Sequence, residues 1–373
     1  MLGATVLAVA LGGCTAAGSG VHEQSWEEVD LPADFVASNL LVVDGRLVIG
    51  GNTNGEQPAL LIGGEADEAL EGGDFESIPV EPVSFYGAKA RWYALIADGS
   101  QLRALGGRTG GGHGNPRWST WTGDREQLTE QTAQGMEVFG GWRGGGMVGV
   151  AVVDGQAVIV GGRAGEQPGL DIAVWLEQGD DWVEQSSTGT ALAATSEALP
   201  FPTAVVSNRD ELVISGFTQV LGGGTVRVQA AAWVGGTQVG GEAPPWQRID
   251  LEADTAEASA HAASCDAGRC VIVGSGDGSL LAWSYADGHA QRLDVPQVEV
   301  GKDDIPAAVT WSGSIAIAVP DGDDSVIAVD DNGWGLWEGP TGTPIAAAAS
   351  GATLYVLTTD GGSVRLWSTT APN

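Results

Sequence analysis

The feature that most constrains this chain is a short apolar segment that recurs at similar intervals along nearly its whole length. Each copy reads as a β-strand, and the first copies end in a pair of glycines. The copies are LVIGG (47–51), LRALGG (102–107), AVIVGG (157–162), ELVISG (211–216), CVIVGS (270–275), SIAIAV (314–319) and TLYVLT (353–358). Alignment of one residue per copy gives intervals of 56, 55, 54, 59 and 44 residues, using Gly50, Gly106, Gly161, Ser215, Gly274 and Ala318. Intervals of this size are typical of a repeated four-stranded unit.

The rest of each repeat has the same all-β character. Asp-Gly pairs at 44–45, 98–99 and 154–155 precede three of the copies, and this pair suits the positive φ angles of a two-residue hairpin turn. The next strand carries a tryptophan in five repeats: Trp121, Trp175, Trp233, Trp283 and Trp367. A fourth strand is recognisable as DWVEQS (181–186), WQRIDL (246–251) and AQRLDV (290–295).

The last repeat, from Pro344, supplies only three strands, and the segment SWEEVDLP (25–32) resembles the fourth strand WQRIDL. An N-terminal strand that completes the last unit would remove a free sheet edge. The spacing alone also fits a pair of packed sheets, but seven repeats in similar register favour a ring. The sequence therefore predicts an all-β fold over residues 25–373, a seven-bladed β-propeller of four-stranded antiparallel blades closed by the N-terminal strand.

Two repeat families resemble parts of this chain. The first three repeats, with a glycine pair in the second strand and a following tryptophan, resemble kelch repeats. The last repeat, TLYVLTTDGGSVRLWS (353–368), looks like the end of a WD-repeat blade. This resemblance implies a propeller and often a binding role, and it carries over no catalytic residue.

The N-terminus reads as an export signal. Residues 2–13 are apolar and too short to span a membrane as a stable helix, and they end in Leu11-Gly12-Gly13-Cys14, which resembles a lipobox. No Lys or Arg precedes the apolar run, which we attribute to a start codon assigned too far downstream. We expect a signal peptide at 1–13, lipidation of Cys14, a flexible tether at 14–24, and anchoring to the outer face of the cytoplasmic membrane.

The composition of the chain narrows the classes of partner that it could bind. The net charge of −32 disfavours nucleic-acid binding, because so acidic a surface repels the phosphate backbone. The scarcity of Lys beside Arg resembles high-GC actinobacterial coding.

Cys265 and Cys270 lie on two strand-like flanks of one hairpin, so an exported chain is expected to join them in a disulfide, with free thiols as the alternative. A lone CxxxxC spacing is a poor zinc site.

The long connections between strands, among which we count the stretch 217–227, are expected to share one face of the ring, where function tends to lie. Four arginines fall on this face, with a histidine, an asparagine and a tryptophan that could help to bind a carboxylate, phosphate or sugar: Arg108, Arg117, Arg143, Arg163, His113, Asn115 and Trp142. The alternative is that the arginines pair with nearby acids. The repeated GEQP at 55–58 and 165–168 is either a repeated turn or a way to place Glu56 and Glu166 in a shared pocket.

Catalytic motifs are scarce. GxSxG, HExxH and P-loop patterns are absent, and the Asp-box of sialidases is incomplete at Ser275-Gly276-Asp277. Copper chemistry like that of galactose oxidase would need His and Tyr ligands and a Cys cross-linked to a Tyr, but the chain has four His and four Tyr and its three Cys are already assigned. No metal site is predicted, although the Asp-rich turns at 303–304, 321–324 and 330–333 leave calcium open. Two hypotheses remain: a non-catalytic surface lipoprotein that binds an envelope protein, peptide or glycan through the long-loop face, and a carbohydrate-active hydrolase or lyase that uses Arg and carboxylates there.

Overall fold

The computed structural model describes residues 20–65, 75–110, 116–132, 138–236, 245–266, 268–301 and 303–371. These residues form strands and one short 3-10 turn, Gly87–Lys89. In chain order the strands are β1 (Glu27–Val29), β2 (Phe35–Val43), β3 (Arg46–Thr53), β4 (Gln57–Glu65), β5 (Glu76–Ile78), β6 (Val80–Glu81), β7 (Arg91–Asp98), β8 (Gln101–Thr109), β9 (Pro116–Gly123), β10 (Leu128–Glu130), β11 (Gly144–Val153), β12 (Gln156–Ala164), β13 (Leu170–Gln178), β14 (Asp181–Gln185), β15 (Ala198–Asn208), β16 (Glu211–Gly222), β17 (Thr225–Gly235), β18 (Gln247–Asp250), β19 (Ala258–Asp266), β20 (Arg269–Gly276), β21 (Ser279–Ala286), β22 (His289–Arg292), β23 (Ala307–Trp311), β24 (Ser314–Asp321), β25 (Asp324–Asp330), β26 (Trp334–Glu338), β27 (Thr343–Ser350), β28 (Thr353–Asp360) and β29 (Ser363–Thr370).

The strands form seven antiparallel sheets, which are the predicted blades. Blades 1 to 6 are β2–β5, β7–β10, β11–β14, β15–β18, β19–β22 and β23–β26, and blade 7 is β27–β29 with β1. The first strands of successive blades contact one another around the ring, from β2 through β7, β11, β15, β19, β23 and β27 back to β2. The seven-bladed propeller is therefore confirmed. One addition is that β6 pairs in parallel with β10, which gives blade 2 a fifth strand.

The N-terminal strand closes the ring as the sequence predicts. Glu27, Glu28 and Val29 of β1 pair with Ser368, Trp367 and Leu366 of β29. Val29 is buried, whereas the two glutamates are exposed, so the strand presents one apolar side chain to the core. Upstream of β1, the amide of His22 donates to the carbonyl of Leu336 and the amide of Glu338 donates to the carbonyl of His22. His22 therefore lies against the outer edge of blade 6, within the segment that the sequence analysis assigns to a tether.

A β-bulge near the start of the first strand explains the glycine pattern. The pairing shifts by one residue at Ser38, Tyr93, Val148, Thr203, His261 and Ile345. The residue before the bulge faces a glycine of the second strand in blades 1 to 5: Gly51, Gly106, Gly161, Gly216 and Gly274. A Cβ at Gly216 or Gly274 would collide with a carbonyl oxygen of the first strand, so only glycine permits this approach.

These glycines correct the sequence alignment. They follow one another at intervals of 55, 55, 55 and 58 residues. The equivalent positions in blades 1 and 4 are thus Gly51 and Gly216, one residue beyond Gly50 and Ser215. A similar shift occurs at the turn after β7, where Gly99 and Ser100 form the loop instead of Asp98 and Gly99.

The core lies between neighbouring blades. The third-strand tryptophans are fully buried in blades 2 to 5, each in a cluster shared with the preceding blade: Trp121, Trp175, Trp233 and Trp283. A large aromatic side chain fills the widening gap between twisted sheets and removes much apolar surface from water. Cys265 and Cys270 are directly opposite each other in β19 and β20 and form the predicted disulfide. Within the described ranges, no helix is long and apolar enough to cross a membrane.

Candidate functional site

One face of the ring carries the connections from second to third strands and from fourth strands to the next blade; we call it the long-loop face. The opposite face carries the remaining turns, most of which are two-residue turns such as Asp44-Gly45 and Asp154-Gly155, and we call it the turn face. The predicted loop at 217–227 is not a loop. Its residues continue β16 and β17 as a long hairpin with a turn at Gly223 and Gly224, because valines on both arms favour strand pairing.

Exposed apolar side chains concentrate on the long-loop face. Among the described residues, those at this face are Val36, Val83, Phe85, Tyr93, Trp142, Leu170, Val226, Ile305 and Ile345, and those elsewhere are Val21 and Val183. Trp142 is 90% exposed and Phe85 is 71% exposed. Large apolar side chains left in water on one face are typical of an interaction surface.

A buried carboxylate holds the connection that presents Phe85. Glu130 accepts hydrogen bonds from the amides of Val83 and Ser84, each at 2.7 Å, and from the Ser84 hydroxyl at 2.6 Å. The Phe85 ring packs edge-on against Tyr86, and the Lys89 ammonium lies 5.6 Å from the Phe85 ring centroid. The exposed Phe85 ring therefore projects from a connection whose backbone is held in place by the buried Glu130 carboxylate.

Glu56 joins blades 1 and 2 through two cations. Its carboxylate accepts a hydrogen bond from Lys89 at 2.9 Å and lies 3.4 Å from the Arg108 guanidinium. The hydrogen bond from Lys89 is the main reason that the pKa of Glu56 is lowered, and the charge of Arg108 adds to it. Glu166 lies exposed on blade 3, so Glu56 and Glu166 belong to loops that blade 2 separates.

Two of the predicted arginines do come together, but with a carboxylate between them. The Arg163 Nε lies 2.9 Å from Glu184, and the Arg143 guanidinium lies 3.6 Å from the same carboxylate. Arg143 also donates to the carbonyl of Ala164, and Arg163 packs over the ring of Trp175. The pairing alternative thus describes Arg108, Arg143 and Arg163 in the structure.

The other candidates are separate or outside the described residues. Arg117 lies 5.8 Å from the ring centroid of Tyr86. His113, Asn115 and Cys14 lie outside the described residues. The Asp-rich turn at 321–324 and residues 303–304 are on the long-loop face, whereas the turn at 330–333 is on the turn face. In the described part of the chain, no group of three His, Cys, Asp or Glu side chains is placed to hold a metal, and a calcium site stays a prediction.

The sequence analysis missed two features of this face. One is a polar cluster at the inner rim of blade 5, where the Nε2 of His261 lies 3.1 Å from the Ser259 hydroxyl and 2.9 Å from that of Ser275. Burial lowers the pKa of His261. The other is a groove of about 800 Å³ between blades 4 and 5. Its signals in the sequence were the valines that flank Gly222–Gly224, at 220, 226 and 228, and the acidic run from Asp250 to Glu257.

The fold and this face define the chain as a seven-bladed β-propeller. No family model and no curated protein matches the sequence. A putative 6-phosphogluconolactonase from Bacteroides uniformis is similar in structure with a TM-score of 0.53 at 15% identity, over 87% of this chain and 92% of that one. The β-propeller domain of the trilobed protease from Pyrococcus furiosus has a TM-score of 0.52 at 10% identity, over 90% and 95%.

Sialidases are also among the structural neighbours. The Trypanosoma rangeli sialidase aligns with a TM-score of 0.44 at 13% identity, over 94% of this chain and 57% of that chain. The structural similarity to the putative lactonase and to the protease propeller, at 15% and 10% identity, shows the propeller fold alone.

Proposed function

We propose that this protein is an exported lipoprotein whose propeller binds a protein of the cell envelope through the long-loop face without catalysis. The observation that carries the proposal is the concentration of exposed apolar side chains on that face, with Tyr93 and Ile345 at the axial rim and Phe85 and Trp142 on the connections. Aromatic anchors ringed by polar groups are the usual centre of a protein interface. The kelch-like and WD-like repeats support a binding role.

The aliphatic members of the surface favour a protein or peptide over a glycan. Val36, Val83 and Ile345 offer no hydrogen bonds, and a sugar would use mainly an aromatic platform flanked by polar groups. Three of the four arginines on which the carbohydrate-active alternative depends, Arg108, Arg143 and Arg163, are held by Glu56 and Glu184. These ion pairs favour the binding hypothesis. The net charge of −32 disfavours a nucleic acid as the partner.

The course of the N-terminal chain supports an anchored orientation. His22 pairs in parallel with Trp337 of β26, a fourth strand that runs toward the long-loop face. The chain therefore approaches the propeller from the side of the turn face. A lipid on Cys14, six residues before Gly20, would lie within about 20 Å of that point. Such an anchor would direct the turn face to the membrane and leave the long-loop face open to partners.

The test compares the protein with a triple variant, Phe85→Ala, Tyr93→Ala and Trp142→Ala, and with a control, Val183→Ala, whose exposed side chain lies on β14. Proteins retained from envelope extracts are identified, purified and titrated individually. Because central aromatic anchors contribute about 2 kcal/mol or more each, the triple variant should bind its partner at least 100-fold more weakly, with no loss in the control. Equal binding by all three proteins would refute the proposed interface. Incorporation of an alkyne fatty acid, abolished by Cys14→Ser, tests the anchor.

A further inference from the structure

Blade 4 departs from the other blades at the long-loop face. Its first three strands, β15, β16 and β17, contain 11, 12 and 11 residues, whereas its outer strand β18 contains four. β18 pairs with β17 only from Ala231 to Val234. Among the described residues, the first half of β17 therefore has no strand on its outer side.

The unpaired backbone groups of β17 can be assigned by alternation. The Leu221 amide donates outside the hairpin, so Leu221 and its partner Val226 form a pair that turns its polar groups away from the β16–β17 interface. Residues two apart in a strand share this direction, and the carbonyl of Ala230 indeed accepts from the amide of Leu251. Within the described part of the chain, no strand pairs with the amides and carbonyls of Val226 and Val228, which thus form a free edge.

This edge faces the groove of about 800 Å³, whose opposite wall is the connection from β18 to β19. Two hydrogen bonds fix that wall. The indole of Trp283 donates to the carbonyl of Glu252 at 2.7 Å, and the amide of Ala256 donates to Asp277 at 3.0 Å. The groove is therefore already formed, which lowers the entropic cost of filling it.

The groove is lined by more carboxylates than cations. Its carboxylates, all exposed, are those of Asp250, Glu252, Asp254 and Glu257, and its cations are Arg227 and Arg292. Arg292 packs over Trp283 at 5.5 Å, beside Asp254. An occupant with basic side chains directed at the 250–257 wall would meet a complementary charge.

We propose that this groove binds an extended basic peptide segment of a partner protein, which adds to the outer edge of β17 as the missing upper part of the fourth strand. Main-chain hydrogen bonds to Val226 and Val228 supply affinity, and alternate basic side chains supply specificity. This inference rests on the proposed function, because it assigns a peptide site to the same face. It lies at blades 4 and 5, apart from Phe85 and Trp142.

The test uses acetylated, amidated heptapeptides in which Lys alternates with Val or Thr, titrated calorimetrically at about 150 mM salt. Two isomeric peptides carry N-methyl groups on their backbone. In one the groups lie on Lys residues, and in the other they lie on an equal number of Val or Thr residues. Only one of these two sets of residues faces the β17 edge, so one isomer should bind at least tenfold more weakly than the other. Hydrogen exchange should slow at the amides of Val226 and Val228. Equal binding by the two isomers would reduce the site to charge attraction and overturn strand addition, as would the absence of binding by the unmethylated peptide.

Protein variants locate the site. Val228→Pro removes an amide that points into the groove and leaves the bonds to β16, so it should weaken binding at least tenfold, while Val228→Ala should not. Asp254→Asn with Glu257→Gln should weaken binding and its salt dependence, unlike the turn-face control Asp154→Asn with Asp287→Asn. A dimer that Val228→Pro abolishes would overturn the proposal in favour of a second copy.

The two proposals fail separately. The triple variant of Phe85, Tyr93 and Trp142 should bind the heptapeptide normally. Loss of partner binding in that variant with intact peptide binding supports the apolar interface. Peptide binding that survives Val228→Pro overturns the groove proposal and leaves the apolar interface unaffected.

Discussion

Removing two methyl groups from the closing strand should measure how firmly the ring is shut. Val29 is 3% exposed and packs in a cluster with Phe35 of β2 and Leu366 of β29. Val29→Ala loses about 0.8 kcal/mol per methyl group, and the cavity left behind raises the total cost to about 2 kcal/mol. For 373 residues with an unfolding entropy of about 2.1 cal/mol/K each, this cost corresponds to a decrease in Tm of roughly 3 °C.

The matched control is Val183→Ala, on the outer strand β14 of blade 3. This valine is 43% exposed, so the same substitution should cost less than about 0.5 kcal/mol and change Tm by less than about 1 °C. Thermal unfolding is followed by tryptophan fluorescence and circular dichroism. Equal shifts for the two variants would refute the reasoning, because they would show that Val29 contributes no more than a surface valine.

Proteolysis gives a second reading of the same strand. Glu27 and Glu28 lie in β1 and are paired with β29, so a glutamate-specific protease should cut there slowly in the native protein. Val29→Asp places an unpaired charge in the core and should release the strand. Cleavage after Glu27 or Glu28 should then be faster by at least tenfold. Rapid cleavage in the unmodified protein would contradict a closed ring.

Three further predictions concern titration and the disulfide. Burial and Glu211 raise the pKa of Tyr285 to about 12 from the ordinary 10. Absorbance at 295 nm should therefore show one phenol that ionises at higher pH than the others, and Tyr285→Phe should remove it. The stability that this group contributes should be lost as pH rises above 10. Burial lowers the pKa of His261, so the stability that this group contributes should be lost as pH falls below about 6.5. As pH is lowered, the Tm of the native protein should decline more steeply than the Tm of His261→Gln. Replacing Cys265 and Cys270 with serine should cost about 2 kcal/mol, the chain entropy of so short a loop, and an unchanged urea midpoint would contradict it.

Much of the fold was predictable because the signals are local or periodic. The apolar second strands, the buried tryptophans and the likeness of 25–32 to a fourth strand identify the ring and its closure. The exact register was not predictable. Whether Gly50 or Gly51 lies opposite the bulge depends on which residue of the first strand is looped out, and that is set by pairing across the sheet.

The candidate site was predictable only in part. The long connections and their arginines lie on one face, but nothing in the sequence spacing indicates that Glu184 reaches both Arg143 and Arg163. The stretch 217–227 reads as a loop because of its glycines, yet its valines pair as strands. The groove beside β17 escaped notice because it results from a strand that stops early, and strand ends are weakly encoded.

By itself the sequence determined the number of blades, the strand that closes the ring and the face that holds the long connections, since each follows from repetition along the chain. Only the tertiary structure decided which charges neutralise one another, which aromatic rings remain in water and which backbone edge stays unpaired. Those properties depend on distances between blades far apart in sequence. Coulomb energies and hydrogen bonds vary over a few ångströms, and repeat spacing specifies no position that closely.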